Sequence, residues 1–79
     1  MIYLERIRKA FAKVIGEESA RLMNEDSTME TVKGWDSINF IALVMAVEDE
    51  FKITLSTLDA ASLISVRDIN SYLEKRLAA

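Results

Sequence analysis

Ser37 is the residue best placed to carry covalent chemistry, because it follows an acid, Asp36, where an apolar helical pattern begins. A serine can act as a nucleophile or accept a modification. Nucleophilic catalysis needs a base to take the hydroxyl proton, but the chain has no histidine and no Gly-x-Ser-x-Gly surrounds the serine. The absence of cysteine removes thiol nucleophiles, disulfides and zinc sites of the Cys/His type, and leaves the redox compartment open. A modified serine is the better chemical reading. Helix N-termini offer free N–H donors and the positive end of the dipole, and both favour a phosphate ester. Asp36 can cap those same N–H groups, although Asp-Ser alone is a common pair. Glu17-Glu18 and Glu25-Asp26 match no dedicated cation loop, and Met23 and Met29 read as loop anchors rather than ligands, so no metal site is expected.

Those residues need a scaffold. Before Gly16, Leu4, Ile7, Phe11, Val14 and Ile15 recur at three- and four-residue spacing, with Arg6, Arg8, Lys9 and Lys13 between them. The spacing predicts an amphipathic helix from Ile2 to Ile15, stopped by Gly16, with the basic residues on its solvated face. Residues 17–35 mix charged and small polar residues with scattered Leu22, Met23, Met29 and Val32. They read as one long loop pinned by some of those apolar side chains, and loops of that length are often functional. Trp35 and Phe40 flank Asp36 as a hydrophobic staple would, so a second helix is expected from Ser37 to Phe51. Ser56-Thr57-Leu58-Asp59 has capping-box spacing and opens a short third helix ending near Leu63. Ser65-Val66-Arg67-Asp68 repeats that spacing, Ile64 and Ile69 supply another staple, and Ile69, Tyr72, Leu73 and Leu77 stripe a fourth helix. The expected fold is all-α: a four-helix bundle with a short third helix and a long first loop, one domain over residues 1–79.

The chain is 51% apolar and 29% charged, a globular balance. No apolar run reaches the roughly 20 residues of a membrane span, and the first residues lack the basic-then-apolar pattern of an export signal, so a cytoplasmic monomer is the expectation. The net charge is −3, concentrated in residues 34–66, where Asp36, Glu48, Asp49, Glu50 and Asp59 face Lys52 alone. Such a middle repels a phosphate backbone, which argues against nucleic acid, and suits partners with basic patches.

The second helix carries more apolar surface than one face can bury. Phe40, Leu43, Val44, Val47 and Phe51 form one face, while Ile38, Ile41 and Met45 form a second line continued by Glu48 and Asp49. Either this helix is central to the bundle or the second line is an exposed docking strip with an acidic end. Met45 suits the latter because its flexible side chain adapts to different partners.

Gly34-Trp35-Asp36-Ser37-Ile38, followed by Leu43-Val44-Met45-Ala46-Val47-Glu48-Asp49-Glu50-Phe51, resembles the acyl carrier protein family. The resemblance covers the whole chain in length, helix order and long first loop. It implies that Ser37 is esterified with 4′-phosphopantetheine, donated by coenzyme A through a phosphopantetheinyl transferase that Asp36 helps to recognise the site. The arm's thiol would hold acyl groups as thioesters for loading and transferring enzymes of fatty acid, polyketide or related lipid biosynthesis. The same serine chemistry would serve a peptidyl or aminoacyl carrier of a nonribosomal peptide pathway, which differs in cargo and partners. An imported sulfur also accounts for a chain without cysteine. By the same resemblance Ile38, Ile41, Met45, Glu48 and Asp49 face partners, and Phe40, Leu43, Val47, Ala60 and Ile64 border a cavity that shelters the acyl chain. The domain itself would catalyse nothing.

Departures from the family pattern refine this. Carriers of fatty acid synthesis usually place acids two and five residues after the serine, where this chain has Asn39 and Ala42. The glycine that often follows the family's Phe is Lys52, and the proline common near Ser56 is missing. Phe40 stands near the cavity mouth where smaller residues are common, so sequestration is expected to be restricted. Trp35 before Asp-Ser resembles free-standing carriers of specialised pathways. A discrete, specialised carrier is therefore expected rather than a housekeeping one.

Overall fold

The computed structural model describes residues 1–78. Five helices follow one another: α1 (Leu4–Ile15), α2 (Glu17–Arg21), α3 (Phe40–Phe51), α4 (Thr57–Ala61) and α5 (Val66–Leu77). The all-α bundle expected from the sequence is present, with one more helix than expected. α1 packs on α2 and α3 and, less extensively, on α5.

α1 buries Ile7, Ala10 and Phe11, the stripe that its spacing predicts. It begins at Leu4 rather than Ile2, with no side-chain cap of its own. Its first turn is held from across the fold, where buried Asn70 accepts the Tyr3 N–H through Oδ1 at 3.0 Å. Gly16 ends it at φ 91° and ψ 157° and at once starts α2, accepting the Ala20 N–H at 3.1 Å. That backbone conformation is essentially restricted to glycine.

The expected long loop is therefore shorter. Glu17 and Glu18 in the first turn of α2 and Arg21 in its last suit the helix dipole, while Ala20 and Met23 are buried. Arg8 is not on a free solvated face: its Nε and Nη2 donate to the Met23 carbonyl at 2.8 and 2.6 Å, closing the end of α2. Of the apolar residues expected to anchor the loop, Met23 is buried and Met29 and Val32 pack against the core, but Leu22 is exposed.

What remains of the loop is ordered by backbone pairing. Met29 N–H donates to Ile64 O at 3.0 Å and Val66 N–H to buried Ser27 O at 2.9 Å, either side of an isolated antiparallel bridge between Thr28 and Ser65. Arg67 adds contacts to Glu25 and Asp26 at 3.3 and 3.0 Å. The Asp26 hydrogen bond first, then the Glu25 charge, holds the Arg67 guanidinium above its already high range.

α3 starts at Phe40, three residues later than expected. Ser37 to Asn39 form a turn, and the first helical bond runs from Leu43 N–H to Asn39 O at 2.9 Å. α3 buries Leu43, Ala46, Val47 and Phe51 and ends on Lys52 in the left-handed region at φ 56°. Phe51 meets Tyr3 edge to face, with ring centroids 5.6 Å apart. The serine half of each capping box forms: Ser56 Oγ accepts the Asp59 N–H at 3.1 Å and Ser65 Oγ the Asp68 N–H at 3.0 Å, while the Asp59 and Asp68 carboxylates accept from Tyr72 Oη and the Ile64 N–H instead. The second staple is open, since Ile64 is 53% exposed while Ile69 is buried. That turn is held instead by Asp68 Oδ2, which accepts the Ile64 N–H at 3.3 Å.

Candidate functional site

Ser37 lies exposed on the turn between the remaining loop and α3. Asp36 caps that turn, its Oδ1 accepting the Asn39 N–H at 3.0 Å. Asn39 in turn donates through Nδ2 to Gly34 O at 3.0 Å, so residues 34–39 close on themselves. Among the described residues the Ser37 hydroxyl has no hydrogen-bond partner. It is free to form a bond, and the twelve residues of α3 direct the positive end of their dipole toward it. A phosphate ester fits this position sterically and electrostatically.

Below the serine the backbone is fixed by close packing. Gly34 adopts φ +93°, and a Cβ there would lie 2.8 Å from Ile15 Cγ2 at the end of α1. Trp35, 3% exposed, meets Phe11 edge to face with centroids 4.8 Å apart. The serine thus sits on a turn nailed to α1 from two adjacent residues.

Along α3 the two apolar lines separate. Ile38, Ile41 and Met45 are 91%, 65% and 61% exposed, so the second line is a surface strip. Glu48 does not belong to that strip as a free acid. It is half-buried, and its Oε2 accepts the Leu55 N–H at 2.8 Å, tying the loop after α3. Asp49 is exposed and stands 3.6 Å from Lys13 Nζ. Glu50 meets Arg6 at 3.1 Å and Lys9 at 4.0 Å, and Asp59 accepts from Tyr72 Oη at 3.0 Å. Asp49 and Glu50 are thus paired with basic residues of α1, whereas Asp36, Glu48 and Asp59 accept from uncharged donors and keep their charge.

The interior cavity borders Phe11, Trp35, Phe40, Leu43, Val44, Val47, Leu55, Ala60, Leu63 and Ile69 and has a volume of about 20 Å³. That is space for about one water. Phe40, Leu43, Val47 and Ala60 border this cavity, but Ile64 does not. Leu63 takes that place, because the turn into α5 rotates Ile64 outward into a surface groove with Met29, Trp35 and Asp36. Phe11, Trp35, Val44, Leu55 and Ile69 also border it and were not among the expected cavity residues. Trp35 carried a signal, its place beside the serine, whereas Phe11 read simply as helix core.

Among the described residues no group of three or more His, Cys, Asp or Glu side chains could hold a metal ion, and no helix is long and apolar enough to cross a membrane.

Residues 5–73 match the family described as phosphopantetheine attachment site. The chain belongs to this family, that of the acyl carrier proteins. Its members bear covalently attached 4′-phosphopantetheine and act as carrier domains, working with a phosphopantetheinyl transferase and with acyl-handling enzymes.

Proposed function

We propose that Ser37 is the attachment residue, and that the protein is an acyl carrier of fatty acid, polyketide or related lipid biosynthesis rather than an enzyme. The observation that carries this is an exposed, unpartnered serine hydroxyl at the positive end of α3, beside the exposed Ile38–Ile41–Met45 strip. When bound, phosphopantetheine supplies a thiol on which acyl groups are held as thioesters. The chain's own part is to present and hold. Ser37 Oγ supplies the oxygen of the phosphodiester. Asp36 fixes the turn through the Asn39 N–H, and no histidine is available to take the serine proton, so the transferase provides the base.

Partner enzymes dock on Ile38, Ile41 and Met45, with Asp49 at the edge, while Glu48 contributes by holding the loop to Leu55. The carrier works as a cytoplasmic monomer. Incubation with coenzyme A and a broad-specificity transferase should add one phosphopantetheine to the chain. A Ser37→Ala variant that still gained the group would place attachment elsewhere.

A further inference from the structure

Trp35 borders two spaces of very different size. The interior cavity is about 20 Å³. The groove between residues 28–30 and 64–68 is about 650 Å³ and opens beside Asp36, the neighbour of Ser37. We propose that this groove is a subsite for the chain's own phosphopantetheine arm and the first part of its cargo, which therefore rest on the surface of the bundle rather than inside it. The proposal rests on attachment at Ser37.

Size is the first ground, since one water's worth of space does not admit an acyl chain without displacing Phe40, Leu55 or Leu63. Position is the second: Trp35 and Asp36 form part of the groove wall, and the attachment residue follows them in sequence.

Chemistry is the third. The arm alternates amide N–H donors with apolar carbon, including a geminal dimethyl group. Met29, Trp35 and Ile64 give the groove an apolar lining, and Ile64 is the half-exposed side chain that the bundle leaves uncovered. Asp36 Oδ1 takes the Asn39 N–H and Asp68 Oδ2 the Ile64 N–H, which leaves the second oxygen of each carboxylate, and that of exposed Glu30, to accept from amides.

Rigidity is the fourth. The two walls are already joined by the Met29–Ile64 and Val66–Ser27 backbone bonds and by Arg67 with Glu25 and Asp26. A preformed site loses little conformational freedom when it is filled.

The test is amide chemical-shift mapping of three forms, apo, arm-loaded and octanoyl-loaded, with intact mass confirming each. The expected result is that Met29, Glu30, Ile64 and Ser65 shift more than Val44, Leu55 and Leu63 in both loading steps. Ile64→Asp alters an exposed side chain and leaves the backbone pairing intact, and it should reduce the Met29 shift at least twofold while Ser37 still loads. Shifts concentrated on Val44, Leu55 and Leu63 would place the cargo inside and overturn the groove alone, as would a loaded arm that moves neither set. A chain that accepts no arm overturns the attachment reading together with this one.

Discussion

Replacing Gly34 with alanine separates two costs that the structure assigns to one residue. The first is conformational. Gly34 sits at φ +93°, and a left-handed conformation costs a residue with a Cβ about 1–2 kcal/mol. The second is steric. The new methyl would lie 2.8 Å from Ile15 Cγ2 and 3.1 Å from Ile15 Cβ, and isoleucine has little rotamer freedom with which to retreat. Overpacking of this kind costs about 1–3 kcal/mol, so Gly34→Ala should destabilise by about 2–5 kcal/mol in all. Gly16 is the control. Its φ is similar at +91°, but nothing lies within 4 Å of its added Cβ, so Gly16→Ala should show the backbone cost alone, about 1–3 kcal/mol.

Urea unfolding followed by fluorescence of Trp35, the single tryptophan, measures both. The decisive comparison is a double-mutant cycle with Ile15→Ala, which removes the clashing methyl. The cycle should show that Gly34→Ala costs at least about 1 kcal/mol less in that background, well above the additivity error. An additive cycle would refute the close approach of the serine turn to α1. It would leave the Trp35–Phe11 contact to hold the serine turn against α1.

Other variants test separate parts of the fold and site. Lys52 adopts φ 56° at the end of α3, so Lys52→Gly should stabilise the protein by about 0.5–1 kcal/mol in the same urea titration, and a loss of stability would contradict that assignment. Asn70→Leu removes the acceptor for the Tyr3 N–H and should cost about 1–3 kcal/mol, with amide exchange rising first at the start of α1; unchanged exchange there would show that the cap is idle. Ile41→Ser and Met45→Ser should each lower kcat/KM for the transferase severalfold. Because Asp49 and Glu50 are paired with basic residues of α1, raising salt from about 0.05 to 0.5 M should change that rate little. A steep fall with salt would restore a partner held by the acidic middle.

The sequence disclosed whatever depended on local patterns. The α1 stripe, both serine caps and the glycine stop at residue 16 follow from spacing and residue type, and they are found at the expected places. Composition could not say that α2 would form inside residues 17–35, because five residues are too short for a periodic signal and its end depends on Arg8 reaching the Met23 carbonyl. Ser37 and Asp36 were legible as a pair, but the start of α3 was not. Asp36 caps a turn through the Asn39 N–H, and the regular bonding begins only at Leu43. Ile64, expected at the cavity, borders the surface groove instead, where backbone pairing with Met29 decides which way the side chain faces. The pairing of Asp49 and Glu50 was not legible, because the Arg6, Lys9 and Lys13 that meet them lie more than thirty residues away on α1.

Ser37 as the point of attachment in a carrier is what everything else in this molecule turns on. The most direct test is the intact mass of the protein before and after incubation with coenzyme A and a broad-specificity phosphopantetheinyl transferase, with Ser37→Ala alongside. The parent protein should gain one phosphopantetheine group and the folded variant none. No gain in a parent sample shown beforehand to be unmodified, or an equal gain in the variant, would contradict attachment at Ser37.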